Sequence, residues 1–301
     1  MRDFIKDKLD TVYNDFCEAA KVSDGLCPLK DFSFAGGESP DYSDPLVRKY
    51  YMLKYFPGYM AEYYLMYEHL FDEKFLSNTV INILSLGCGC GVDYWGFHFA
   101  ATKKVKNHQK SSSYTGYDII DWEYRDSMGH DKHVFFETED IGNLKKLDYD
   151  KYNIIVFPKS ISDFPDEVFA TLLKAIENTK FKKKKIAILC SFMTNDSKKY
   201  DFNRLTRLVK VFEEQHGYKC LDKANEYFHM KDKDVGLNTV VPGFDYTLPI
   251  KKTIFKTLEN CPNFIENGKS CDQECSNMNQ YPILKTKYVN YAIRRLKKDQ
   301  K

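Results

Sequence analysis

Apolar residues recur along this chain with two different periods, and the change from one to the other divides it. Phe4, Ile5, Leu9, Val12, Tyr13 and Phe16 fall at helical spacing, which predicts an amphipathic helix over residues 3 to 21. Residues 23 to 44 hold Gly25, Pro28, Gly36, Gly37 and Pro40, a density of backbone breakers that predicts irregular structure. Ser43-Asp44-Pro45 then offers a capping residue and a proline for the first helical turn. Leu46, Tyr50, Leu53, Pro57, Met60, Tyr64 and Tyr67 follow at alternating steps of four and three, with Pro57 predicting a kink.

From residue 80 onward, short apolar runs alternate with helical patterns, which predicts parallel strands with helices on both faces. Strands are expected at 80–86, 114–118, 133–137, 153–157 and 185–192, with two later ones near 219–230 and 287–296. Helices are expected at 94–102, 122–127, 141–146, 165–179 and 199–216. The fold class read from this pattern is α/β: a doubly wound, mostly parallel seven-stranded sheet, its last two strands an antiparallel hairpin, preceded by a helical extension. The expected division is a helical cap over 1–78 and a sheet domain over 79–301, with a cysteine-containing insertion at about 231–285.

The first strand, Ile83-Leu84-Ser85-Leu86, breaks into Gly87-Cys88-Gly89-Cys90-Gly91. Three alternate glycines allow backbone dihedrals closed to other residues and let N–H groups lie against a ligand. The dinucleotide fingerprint would need glycine at 92, where Val92 stands. With the segments that follow, Gly-x-Gly-x-Gly resembles the first motif of the class I S-adenosylmethionine-dependent methyltransferases. That resemblance implies a loop around the methionine part of the cofactor, an acid after the second strand for the ribose hydroxyls, and an acid after the third beside the adenine. Asp118 and Asp140 stand at those two places. The cofactor contacts it implies are Leu86, Gly87, Cys88, Gly89, Gly91, Asp93, Asp118, Ile119, Asp140, Ile141 and Phe157, with S-adenosyl-L-methionine as cofactor. Ser85 stands where many family members carry an acid that orders the loop or holds the cofactor's amino end, which implies either weaker binding or a role passed to Asp93. Each acid also has an ordinary reading, as a loop carboxylate or a helix cap.

The fourth strand ends in Phe157-Pro158-Lys159-Ser160-Ile161-Ser162-Asp163, where the resemblance places residues facing the transferable methyl group. It is neither the Asn/Asp-Pro-Pro-Tyr/Phe signature of amino methylation in nucleic acids nor the Pro-Cys nucleophile of carbon-5 pyrimidine methylation. Lys159, Ser160 and Asp163 are the catalytic candidates, as groups that could orient an acceptor, with a helix cap as the ordinary reading of Asp163. Tyr94 and Trp95 are candidates to border the cofactor or acceptor, and His98 reads as a helix-face residue. The helical front end would cover the site, with Phe34-Ala35-Gly36-Gly37-Glu38 as a candidate lid.

Composition narrows the partners only slightly. With 301 residues and 43% apolar content the chain can build a substantial core, and 45 Lys and Arg against 43 Asp and Glu leave a net charge of +2 that demands no polyanion. Nine cysteines, an odd number spread through apolar elements, suit a reducing compartment, and with no apolar run near 20 residues the expectation is a cytoplasmic chain away from membranes. Cys261, Cys271 and Cys275 form a candidate structural zinc set, to be completed by Cys220 or His229. The basic runs at 182–185 and 294–298 read as solvated strand edges or as an RNA contact. The acceptor is left open among small molecule, protein and RNA, with DNA disfavoured. A fold that binds the cofactor without transferring methyl, and an RNA methyltransferase with a zinc-binding insertion, are the alternative functions.

Overall fold

The computed structural model describes residues 2–22, 24–33, 40–77, 79–105, 112–125, 133–147, 151–192, 198–230, 235–241, 244–246, 248–255, 261–268, 271–286 and 289–298. In chain order the long helices are α1 (Arg2–Ala19), α2 (Pro45–Asp72), α3 (Val92–Lys104), α4 (Asp166–Glu177) and α5 (Lys198–His216). The strands are β1 (Asn82–Leu86), β2 (Ser113–Asp118), β3 (Val134–Thr138), β4 (Ile154–Pro158), β5 (Lys185–Ser191), β6 (Tyr218–Cys220), β7 (Phe228–Met230), β8 (Val235–Gly236), β9 (Lys285–Thr286) and β10 (Val289–Lys298). The chain falls into two compact units, one of residues 1–61, 122–124 and 235–286, the other of 62–121, 125–234 and 287–301. The predicted lid at 34–38 lies outside the described residues.

In the second unit the sheet runs β3-β2-β1-β4-β5-β10-β6, with β7 also paired to β10. β1 to β5 are parallel, and β10 is antiparallel to β5, β6 and β7. This is the doubly wound, mostly parallel α/β sheet expected from the sequence. Its order reverses between β1 and β4, the switch point outside whose strand ends such sheets bind ligands. β4 and β5 are buried almost throughout, whereas β3, at the sheet's edge, is largely open. Central parallel strands covered on both faces must be apolar on both, which is why Ile154, Ile155, Val156 and Phe157 run without alternation.

Three local expectations are corrected. The strand expected over 219–230 is two short strands, β6 and β7, on the same side of β10, with residues 221–227 between them. The helix expected at 141–146 is a single 3-10 turn, Ile141–Asn143, which Asp140 caps by accepting from the Gly142 N–H and which ends where the chain is extended again at Leu144. Described residues 122–125 are not helical: Tyr124 takes a left-handed φ of 65°, and Trp122 is drawn into ring contacts with Tyr42 and Tyr51. By contrast α2 runs unbroken through Pro57.

In the first unit, the insertion folds with the N-terminal segment. Phe255 packs on Phe16 and Tyr50, the Tyr50 hydroxyl donates to the Asn279 carbonyl at 2.6 Å, and the Ile283 N–H donates to the Lys54 carbonyl at 2.7 Å. Gly58 makes that approach possible, since a Cβ there would lie 2.8 Å from the Ile283 side chain. Arg48 and Lys49 on α2 both pair with Glu123. β8 and β9 close the insertion as a two-stranded antiparallel pair.

Candidate active site

The turn after β1 is built from its glycines. Gly87, Gly89 and Gly91 have φ of 69°, 54° and 75°, the left-handed region that costs any other L-residue about 1 kcal/mol or more. Gly87 and Cys88 both donate backbone N–H to the Tyr117 carbonyl, at 2.8 and 3.0 Å, which pins the turn to the end of β2. Close packing adds a second requirement: a Cβ at Gly87 would lie 2.5 Å from Ser160 Cβ, and one at Gly91 would lie 2.8 Å from the Phe136 ring.

Asp118, the last residue of β2, points into this turn. One carboxylate oxygen accepts from Gly89 N–H at 2.8 Å and the other from Ile120 N–H at 3.0 Å. Its side chain is 14% exposed, so the carboxylate can be reached from solvent. Ile119 beside it is 66% exposed, an apolar surface on the same strand end.

Sequence reasoning missed Arg125. Its guanidinium is buried and donates to the Gly89 carbonyl at 3.0 Å, the Ile120 carbonyl at 2.7 Å and Thr138 Oγ1 at 3.2 Å. It also lies 4.0 Å from Asp118 and over the Phe136 ring. One cation thus joins the glycine turn to the ends of β2 and β3. No local motif marks it, since its partners are mostly carbonyls that any residue could supply.

The other cofactor candidates divide by accessibility. Asp140 is exposed, with one oxygen engaged by Gly142 N–H at 2.7 Å. Leu86, Ile141 and Phe157 are buried side chains of the core, so they can offer a ligand only backbone. Asp93 is fully buried and accepts from the Tyr114 hydroxyl at 2.9 Å, which makes it an internal strut between α3 and β2. Burial pushes its carboxyl up to about 6, with hydrogen bonds opposing. Cys88 is buried against Gly116, and burial, with Asp118 nearby, holds its thiol well above the ordinary range and therefore neutral. Tyr94, Trp95 and His98 are likewise buried, Tyr94 against Tyr114.

At the end of β4 the three catalytic candidates separate. Lys159 has a left-handed φ of 57°, and its ammonium turns inward to Glu62 Oε1 and the Phe192 carbonyl, both at 2.9 Å. Glu62 is buried, its other oxygen makes no hydrogen bond, and burial raises its carboxyl's proton affinity against the pull of Lys159. Ser160 donates to the Leu86 carbonyl at 2.5 Å, tying the ends of β4 and β1 together across the switch point. Asp163 is exposed and caps nothing: α4 has Pro165 at its N-cap and no side-chain cap bond. Protein on several sides nevertheless pushes its carboxyl up to about 7, burial first, then Asp201, with Asp118 adding to it and Arg204 opposing. Arg204 on α5 fixes this loop by donating to the Ile161 and Phe164 carbonyls and to Asp166.

The doubly wound, mostly parallel sheet is the one implied by the resemblance. The chain has the fold of the class I methyltransferase superfamily. No family profile and no curated protein matches it by sequence. Among solved structures it is similar to the plantazolicin methyltransferase BpumL in complex with a triazolic desmethylPZN analog and SAH, at 13% identity and TM-score 0.44, covering 98% of this chain and 100% of that one. It is also similar to YcgJ from Bacillus subtilis, at 13% identity and TM-score 0.38 over 79% and 99% of the two chains. A TehB-like SAM-dependent methyltransferase from Corynebacterium glutamicum matches at 14% identity and TM-score 0.34 over 54% and 76%.

Other sequence candidates find different settings. Among the described residues no three His, Cys, Asp or Glu side chains are set at metal-ligating geometry, and the expected zinc set is not assembled. Cys220 and His229 instead lie on β6 and β7, with His229 bonded to Asn290. In the C-terminal basic run, Arg294 donates to the Ala224 carbonyl, Arg295 pairs with Asp222 and Glu73, and Lys298 donates to the Phe181 carbonyl. No described helix is long and apolar enough to cross a membrane.

Proposed function

We propose that this protein is an S-adenosylmethionine-dependent methyltransferase whose acceptor loses a proton as it is methylated. The observation that carries the reading is the Gly89 N–H to Asp118 contact of 2.8 Å, which brings the glycine turn and the acid of the next strand to one point at the switch point of the sheet. The residues fit the cofactor: Gly87 to Gly91 would hold its methionine part, the partly exposed Asp118 carboxylate the ribose hydroxyls, and Ile119 with Asp140 the adenine. When bound, it supplies an electrophilic methyl group on a sulfonium.

The chain's own part is alignment and proton handling. Ser160 holds the end of β4 against β1, and Arg204 holds the loop that carries Asp163. Asp163 then receives the proton of an acceptor O–H or N–H, which a carboxyl near 7 can do at neutral pH. Lys159 and Ser160 act as positioning residues, since their polar atoms are occupied within the protein.

A second reading, a cofactor-binding protein without transfer, is favoured by that same occupation of two of the three β4 candidates. Calorimetry with S-adenosylmethionine, on the chain and on Asp118→Ala, tests the first step. Binding that weakens in the variant supports the assignment, and no binding, or equal binding, refutes it. Labelled methyl transfer to fractionated acceptor pools then separates enzyme from binder.

A further inference from the structure

The end of the sheet opposite the glycine turn carries a charge pattern with no part in methyl transfer. In the register of β5, β10 and β6, Lys297 stands directly across from Lys185 on one side and from Lys219 on the other. Residues paired in this way project from the same face with Cβ atoms about 5 Å apart, and like charges so placed oppose folding. Lysine at a sheet margin discourages pairing with another edge. That role accounts for Lys219 on the outer strand β6, but β5 and β10 are interior strands.

Two residues earlier on the same face, Arg295 is neutralised by Asp222 at 2.6 Å and Glu73 at 2.5 Å. The lysines are not. Among the described residues no acid stands within ion-pair distance of Lys184, Lys219 or Lys297, all three of which are exposed. Lys185 donates to the Phe75 carbonyl at 2.8 Å and lies over the Phe75 ring. Lys298 donates to the Phe181 carbonyl at 2.7 Å and lies over the Tyr218 ring. These neutral partners fix two ammonium groups without cancelling their charge. Lys184 sits beside Lys298, whose N–H donates to its carbonyl at 2.9 Å. Successive strand residues project to opposite faces, so Lys298 lies on the face away from Lys297 and the cations wrap around the sheet end.

We infer that Lys184, Lys185, Lys219, Lys297 and Lys298 form a surface for the phosphate backbone of a single nucleic-acid strand. A planar membrane meets one face of a sheet end and leaves the charges on the other without a partner. An extended acidic peptide turns alternate side chains away from such a row. Every phosphate lies on the backbone itself, and a flexible strand can follow the turn from face to face. Contacts to phosphate position a strand without reading its bases. Lys185 is six residues before Ser191 at the other end of β5, about 20 Å away, so the surface holds a strand at a distance from the glycine turn.

Fluorescence anisotropy of the full-length chain with a labelled uridine 20-mer, at about 50 mM salt, tests this. The logarithm of affinity should fall with the logarithm of salt at a slope of about −2 to −3.5, or about −0.7 for each of three to five phosphates. Lys184→Glu, Lys219→Glu and Lys297→Glu combined should lower affinity at least tenfold. Lys145→Glu, Lys174→Glu and Lys210→Glu combined, equally exposed and equal in charge, should lower it less than threefold. Lys297→Gln alone should weaken binding while the unfolding midpoint holds or rises, since the middle charge of the repelling row is gone. Binding of a thymidine 20-mer should match that of the uridine one within threefold. Absence of binding, equal loss in the two triple variants, a thymidine strand tenfold different, displacement by polyglutamate at equal charge, or tighter binding to phosphatidylserine vesicles each overturns the surface. S-adenosylmethionine affinity reports on the glycine turn and should be unchanged in both triple variants, so the two proposals fail separately.

Discussion

The two strand ends that meet at the switch point are built by opposite means. At the end of β1 the turn is held mostly from the neighbouring strand end: Gly87 and Cys88 donate to the Tyr117 carbonyl, Gly89 donates to the Asp118 carboxylate, and Arg125, seven residues after Asp118, donates to the Gly89 carbonyl. At the end of β4 the chain is held by side chains from far along the sequence, with Glu62 of α2 on Lys159 and Arg204 of α5 on the carbonyls of Ile161 and Phe164. Local construction leaves the Asp118 carboxylate partly exposed, whereas construction from distant side chains occupies Lys159 and Ser160 and leaves Asp163 exposed. A candidate polar residue is therefore available for chemistry according to what already claims it, and its position in a motif does not settle that.

Changes at each end should separate the two. The largest effect is expected from Asp163→Asn, which removes the proton acceptor: transfer should fall about 10²–10⁴-fold with cofactor affinity kept. In the unaltered enzyme the rate should rise with pH through about 7, because the carboxyl accepts a proton only after losing its own, and this limb should vanish in the variant. A pH–rate profile that keeps its limb would remove Asp163 from the mechanism.

Lys159→Met comes next. It strands the buried Glu62 without its partner, and loss of one member of a buried pair costs about 3–5 kcal/mol. Thermal or urea unfolding should show that loss, and Glu62→Leu combined with Lys159→Met should restore much of it. A single variant as stable as the parent would mean that the pair does not hold the end of β4.

Asp118→Ala attacks the other end. Losing charge-assisted bonds of about 1.5–3 kcal/mol should weaken S-adenosylmethionine about 10- to 100-fold in calorimetry. Smallest is Ser160→Ala, which deletes the side-chain hydrogen bond from Ser160 to the Leu86 carbonyl. A stability loss of about 1 kcal/mol is expected by chemical denaturation, with a modest rise in KM. A larger loss than for Lys159→Met would reverse the order proposed for the two regions.

How much of this was legible in the sequence follows the same division. β1, the glycine turn and Asp118 could be read because they follow from local rules: a buried apolar run, left-handed dihedrals that favour glycine, and an acid one strand later at a parallel end. Arg125, Glu62 and Arg204 could not, because their partners are mostly backbone carbonyls and one buried ammonium, which carry no signature of spacing. The strand expected at 219–230 failed for a related reason, since strand length there depends on pairing to β10 about seventy residues away.

The sequence alone determined the class of fold and the turn, because period and glycine placement act through the nearest neighbours along the chain. Tertiary structure decided which polar groups stay open: burial and long-range pairing placed Lys159 inward, left Asp163 exposed with its raised proton affinity, and brought Cys27 to Asn263, more than two hundred residues away. Those outcomes depend on the solvation and charge of groups meeting in three dimensions, which linear spacing does not encode.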